Sequence, residues 1–159
     1  MAEIMQYQKK RDDNPAFREA LRKIWLSGFD DAPGYFDFFY EKRVRTGQAE
    51  IFCALSGAQA VGAAYFLPAE IRRPGVTPQK AYYGYAFAIL PEYRGKGYGK
   101  AILKKLAEIA VERKCGRLEW SCLDWNKPSI DFYLSLDAEP MSDWTVYRLT
   151  GDRLKKLAQ

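Results

Sequence analysis

A glycine spacing constrains this chain more than any other feature. Gly95, Gly97 and Gly99 lie between a run with the composition of a buried strand and a run with a helical period. The first run, Tyr82 to Leu90, is apolar and aromatic. The second places Ile102, Leu103, Leu106, Ile109 and Ala110 on one side of a helix. Glycines at such a junction let the backbone turn tightly and expose peptide N–H groups at the helix start. Unpaired donors and the helix dipole together make an anion site. Lys96 and Lys100 add positive charge there. A phosphate or pyrophosphate is the expected ligand.

Two familiar phosphate loops do not fit. A dinucleotide fingerprint needs a third glycine where Lys100 sits. A Walker A loop needs glycine at the place of Arg94 and a hydroxyl at Ala101. The remaining pattern is Arg-x-x-Gly-x-Gly, from Arg94 to Gly99.

The 159 residues suit one domain, 1–159, with a sizeable core. The net charge of +5 is spread from Lys9 to Lys156 with no basic arm, so nucleic acid is not an expected partner. No run of eighteen apolar residues occurs, so no membrane span is expected. Met1 to Lys10 lack an apolar signal core, and three cysteines (Cys53, Cys115, Cys122) are an odd number. Reduced thiols and a cytoplasmic location are the expectation. No close Cys or Cys/His cluster suggests a metal. Histidine is absent altogether, which excludes every histidine-based catalytic scheme.

In chain order, Ile4 to Tyr7 reads as a short strand. Asn14-Pro15 opens a helix whose apolar stripe, Phe17, Leu21, Ile24 and Trp25, runs to Gly28. Tyr35 to Val44 predicts a second helix, whose aromatics either line an acceptor pocket or fill core. Asp30 and Asp31, in the break between, either attract a cationic amine or cap the turn. Glu50 to Leu55 and Ala60 to Leu67 predict a hairpin about Ser56–Gln59. Pro68 to Gln79, with three prolines and Gly75, reads as a loop. Lys80 to Ile89 is the central strand, and the helix after the glycines runs to about Lys114 and ends before Gly116. Arg117 to Cys122 alternates as a strand, Ser129 to Leu136 as a short helix. Ser142 to Leu149 predicts a last strand or hairpin, with Trp144, Val146 and Leu149 as core. Asp152 to Gln159 is a charged helix or tail. This order implies an α/β fold with a mixed central sheet and helices on both faces.

Leu90-Pro91-Glu92-Tyr93-Arg94-Gly95-Lys96-Gly97-Tyr98-Gly99, followed by an amphipathic helix, resembles the acetyl-CoA pyrophosphate loop of the GCN5-related N-acetyltransferase (GNAT) superfamily. A second segment, Asn126-x-Pro128-Ser129-x-x-Phe132-Tyr133, resembles the diamine and thialysine acetyltransferase branch. The resemblance implies an acetyl-CoA-dependent N-acetyltransferase acting on a small amine. The backbone of Arg94, Gly95, Lys96, Gly97, Tyr98, Gly99 and Lys100 would hold the pyrophosphate. Phe87, Ala88 and Ile89 would lie beside the pantetheine arm, and Asn126 and Ser129 would contact the cofactor. Tyr133 would protonate the departing thiolate. A phenol near that sulfur is chemically apt, because transfer to an amine expels a thiolate that needs a proton.

One departure bears on the acceptor. The diamine branch has an acidic base on the central strand, nine residues before the loop arginine, and another acidic residue after it. Tyr85 and Ala86 stand there. A dication needs anionic partners, and a neutral phenol is a poor direct base near pH 7. Tyr85 is left as a relay through water. A small monoamine or amino-acid derivative is therefore expected rather than a spermidine-like dication. Alternative readings are a CoA-binding module without turnover and a diamine or polyamine acetyltransferase. The resemblance also implies a possible homodimer.

Overall fold

The computed structural model describes residues 2–32, 34–73, 76–143 and 145–158. Two compact units are present, Met1–Ser121 and Cys122–Gln159. The first begins with strand β1 (Glu3–Gln6), a one-turn helix α1 (Lys9–Asp12) and helix α2 (Pro15–Gly28). Asn14 caps α2 through its side-chain oxygen, which accepts the Phe17 N–H at 2.9 Å, and Pro15 occupies the first turn. Helix α3 (Tyr35–Phe39) runs on into a π-turn, Tyr40–Val44. Strands β2 (Glu50–Ser56), β3 (Gln59–Arg73) and β4 (Val76–Ile89) follow. After a 3₁₀ turn (Pro91–Tyr93) come helix α4 (Tyr98–Glu112) and strand β5 (Leu118–Trp120).

The sheet order is β1-β2-β3-β4-β5. The first four strands are antiparallel neighbours, and β5 runs parallel to β4, so the sheet is mixed as expected. Side-chain alternation splits β2 between two cores. Ile51 and Cys53 join Ala63, Tyr65, Ala86, Ala88 and Leu90 under α2 and α3. Phe52 and Ala54 point the other way and are also fully buried. Helix α4 contacts all five strands, with Ile102, Leu103, Leu106, Ile109 and Ala110 buried. The expected helices on both faces are thus present in this unit.

Trp25 is the centre of the first core. Its ring lies 5.0 Å from Tyr65, 5.1 Å from Phe39 and 5.7 Å from Phe36. Its indole N–H donates to Asp31 at 2.7 Å, which gives that residue a structural partner rather than a plain exposed cap. Phe36, Phe39 and Tyr40 are core, whereas Tyr35 and Phe38 are exposed. Gly28 ends α2 against β4, where an added Cβ would sit 2.8 Å from the Ala88 Cβ.

Two sequence expectations need correction. Pro68 to Gln79 is not a loop. β3 and β4 continue as a paired ribbon from Pro68↔Tyr82 to Arg73↔Val76, with Pro74 and Gly75 outside the described residues. The prolines misled because they are tolerated on edge strands. β2 reaches only Phe66 of β3 and β5 only Tyr82 of β4, so among the described residues the ribbon beyond Ala69↔Ala81 has one partner per strand. Helix α4 ends before Gly116, as expected, and Lys114 just beyond it takes the left-handed conformation (φ 56°).

The second correction concerns the second unit. It holds helices α5 (Lys127–Leu134) and α6 (Gly151–Leu157). The described part of Ser142–Leu149 contains no strand. Val146 and Leu149, expected in the core, are 85% and 46% exposed; Trp144 lies outside the described residues. Alternation needs a neighbouring strand before it becomes a sheet.

The buried polar groups set the alkaline limit of the fold. Burial, then the charge of Asp12, pushes the Cys53 thiol up to about 12 from an ordinary 9.0. Burial also raises the Tyr40 and Tyr65 phenols above 10.0. Each is held neutral in the native state and ionises earlier when unfolded. The associated stability is complete below about pH 9 and is lost as pH rises through the folded values. The urea midpoint should therefore be level from about pH 7 to 9 and fall steadily by about pH 10.5. A level midpoint throughout would contradict this placement of Cys53 and the tyrosines.

Candidate active site

β4 has two edges with different fates. One pairs with β3 along its length. The other pairs with β5 only at Tyr82, Tyr83 and Gly84. From Tyr85 to Ile89 no described strand covers that second edge. Its backbone N–H and C=O groups are the kind of edge on which an extended, amide-bearing chain can dock. Phe87 and Ile89 are half-buried there, and Ala88 is buried against Gly28.

The glycine turn stands at the end of the same strand. Gly95 (φ 72°) and Gly97 (φ 83°) take left-handed backbone, which non-glycine residues adopt at a cost of about 1–2 kcal/mol. Gly97 is the N-cap of α4 and supplies no side-chain bond. The Ala101 N–H bonds to the Gly97 carbonyl at 3.0 Å, and the donors ahead of it in the first turn have no partner within the helix. Gly99 lies in that turn, with Tyr98 and Lys100 on either side. Lys96 and Lys100 are exposed beside it. The Lys96 ammonium lies 5.2 Å from the Tyr93 ring centre, and the Tyr93 ring meets Tyr98 edge-on at 5.9 Å. A pyrophosphate fits this donor set, and an amide-bearing arm fits the open strand edge.

Arg94 has a role the sequence pattern did not disclose. Its Nε donates to the Ile89 carbonyl at 3.1 Å and its Nη2 to the Ser27 carbonyl at 3.2 Å. Ser27 lies in the last turn of α2, where orphan carbonyls favour a cation. The guanidinium ties the turn to β4 and α2, which leaves the backbone to face a ligand.

A β-bulge lies at Tyr85. Tyr65 pairs with Ala86 and Phe66 with Gly84, so Tyr85 is an extra residue on β4. Bulges of this kind re-aim side chains. Gly84 beside it was the one cue in the sequence. The Tyr85 ring stacks on Phe39 at 4.7 Å, and its hydroxyl is hydrogen-bonded to that of Tyr35. Burial first, then that bond, pushes the Tyr85 phenol up to about 12. It is neutral at physiological pH and not itself a base.

In the second unit, Asn126 is the N-cap of α5. Its Oδ1 accepts the Ser129 N–H at 3.4 Å, a long bond that leaves the amide NH₂ outside the cap. Tyr133, in the last turn, is half-buried. Burial, then the charge of Cys122, pushes its phenol up to about 12, so it carries its proton across the neutral range. The Cys122 thiol is raised too, by burial and then Asp124, which is the reverse of an activated nucleophile. Among the described residues no His, Cys, Asp and Glu group has the makings of a metal site, and no helix is long and apolar enough to cross a membrane.

The turn makes a direct expectation. No protein atom lies within 4 Å of a Cβ added at Gly97, so Gly97→Val meets backbone strain and the ligand's space rather than the core. The variant should fold and bind acetyl-CoA at least about 10-fold more weakly by calorimetry, matching 1–2 kcal/mol of strain or lost contact. Unchanged affinity in a folded protein would show that the pyrophosphate is held elsewhere.

Comparison with known proteins supplies the family. The sequence profile of the Acetyltransferase (GNAT) family matches residues 14–137. A thialysine N-epsilon-acetyltransferase of Bos taurus is 30% identical over 159 residues, covering 98% of this chain and 86% of the relative. Among solved structures, an integron cassette protein from the mobile metagenome of V. cholerae superposes with a TM-score of 0.74 at 24% identity. That match covers 99% of this chain and 98% of the other. AAC(6')-Iy, solved with a bisubstrate analogue of CoA, gives a TM-score of 0.72 at 16% identity, covering 95% and 99% of the two chains. The chain belongs to the Acetyltransferase (GNAT) family and is an acetyl-CoA-dependent N-acetyltransferase.

Proposed function

We propose that residues 1–159 act as one acyltransferase domain that acetylates the primary amine of a small acceptor. The acceptor we favour is the side-chain amine of an amino acid or a related monoamine. The observation that carries the transfer reading is the left-handed Gly95–Gly97 turn into an uncapped helix, continuous with the open edge of β4. The family match, residues 14–137, includes both the turn and the Asn126–Tyr133 segment.

Acetyl-CoA supplies an activated acyl thioester. The turn's N–H groups, with Lys96 and Lys100, bind the pyrophosphate. The backbone of Phe87, Ala88 and Ile89 aligns the arm, and the Asn126 amide and Ser129 add polar contacts to it. Fixing donor and acceptor in one complex supplies much of the rate, with no covalent enzyme step. Tyr133 holds its proton at the phenol oxygen and delivers it to the departing sulfur. Tyr85, also neutral, passes the amine proton outward through water.

The acceptor assignment draws on two observations. Tyr85 and Ala86 offer no carboxylate on β4 for the second ammonium of a diamine, which, unlike an amino acid, brings no carboxylate of its own. The relatives include a protein named for thialysine and, from Arabidopsis thaliana, an L-ornithine N5-acetyltransferase that is 36% identical over 84 residues.

Tyr133→Phe should lower kcat by about 100-fold or more while CoA affinity changes by less than about threefold. Unchanged turnover would remove Tyr133 as proton donor. Since both phenols titrate near 12, the pH profile of kcat/KM should rise with deprotonation of the acceptor amine. No descending limb should appear below about pH 10. A thiol-release assay against monoamines, amino acids, polyamines, aminoglycosides and peptides tests the acceptor. Selective turnover of spermidine would overturn the monoamine reading. Saturable CoA binding with no turnover of any amine would favour a binding module instead.

A further inference from the structure

A cavity of about 540 Å³ is lined by Arg43, Gln48, Leu67, Pro68, Ala69 and Tyr83. Its charge is unusual for this part of the fold. Arg18 is paired with Asp37 and Glu41, and Arg45 with Asp13 and Glu41. Arg22 lies 3.7 Å from both Glu19 and Asp37. Arg43 differs from these neighbours. Its Nη1 donates to the side-chain carbonyl of neutral Gln48 at 2.7 Å, and no carboxylate among the described residues pairs with it. The cavity wall therefore carries an uncompensated guanidinium whose orientation a neutral amide fixes. That amide, with its oxygen on Arg43, keeps its NH₂ as a donor.

The cavity is adjacent to the aromatic shelf. Tyr83 precedes Tyr85 by two positions on β4, just ahead of the bulge. Leu67 packs against the core that contains Trp25, Phe39 and Tyr65. The charge of Arg43 also reaches the Tyr85 phenol, where it opposes the effect of burial.

We propose that this cavity is an anion subsite for the acceptor, in which Arg43, Gln48 and Tyr83 hold a carboxylate on the molecule whose distal amine is acetylated. The inference rests on the amine-transfer reading above and names the residues that select within it. A guanidinium fork matches the two oxygens of a carboxylate, and the amide and phenol add donors at its rim. An amino acid with a short side-chain amine spans from this fork toward Tyr85. A diamine of the same length carries the same second ammonium without the carboxylate that offsets it, so it meets Arg43 as an uncompensated like charge, which selects against it.

The test uses the full chain, acetyl-CoA and two matched pairs of acceptors: L-ornithine with putrescine, and L-lysine with cadaverine. Members of each pair differ by the carboxylate. The wild-type protein should favour the amino acid in kcat/KM. Arg43→Ala should raise KM for the amino acids about 10- to 100-fold with little change in kcat, as loss of charge-assisted hydrogen bonds does. Turnover of the diamines should stay level or improve. Arg43→Lys, which keeps the charge and loses the fork, should fall between. The Arg43 side chain is exposed, so the variants should retain the wild-type circular dichroism. An equal loss on both members of a pair, or no loss on the amino acids, would overturn the subsite. Wild-type preference for the diamines would overturn it while leaving amine transfer intact. Turnover of neither pair would remove both readings for small amines.

Discussion

One face of the first unit depends on Trp25. A single indole touches α2's own end at Phe29, the α3 aromatics, Tyr65 of β3 and Tyr85 of β4. Aromatic pairs of this geometry contribute about 0.5–1.5 kcal/mol each beyond area burial. Their larger effect here is positional. Phe39 is held between Trp25 and Tyr85, so the exposed shelf of Tyr35 and Tyr85 rests on a buried stack. The indole N–H fixes Asp31 beside it. The exposed aromatic shelf is built as the outer layer of a core.

β4 joins that shelf to the cofactor loop. Its bulge presents Tyr85, its uncovered edge runs from Tyr85 to Ile89, and its end leads into the glycine turn. Arg94 closes the arrangement by bridging β4 and α2 through two backbone carbonyls. The loop is thereby fastened to the helix that carries Trp25. The aromatic shelf and the glycine turn thus share supports.

Features that demand a particular residue type were legible in the sequence. Left-handed backbone at Gly95 and Gly97 favours glycine, and a glycine N-cap leaves the helix start without a side-chain cap. Asn14-Pro15 marked the start of α2, and the helix stripes named Leu21, Ile24 and Trp25 as core. Features that depend on a neighbour were not legible. Whether Pro68 ends a strand or lies along an edge is decided by where β2 stops. Whether Thr145 to Leu149 becomes a strand is decided by an adjoining one. The bulge at Tyr85 is a mismatch of two registers, and the π-turn at Tyr40–Val44 is a change of hydrogen-bond spacing that composition does not encode. The glycine turn could therefore be found from local pattern, whereas the Arg43 cavity needed β3, β4 and the π-turn to be brought together.

The ribbon formed by the outer parts of β3 and β4 has a consequence for how the protein behaves at high concentration. Two long strands that leave the body of the sheet offer rows of backbone donors and acceptors to any other extended chain, which is the geometry of edge-to-edge aggregation. Pro68 lies on one strand and Pro78 on the other. Each deletes an N–H from its row, so neither edge is an unbroken template for a foreign strand. The residues that looked like loop formers interrupt both edges while letting the ribbon keep its length.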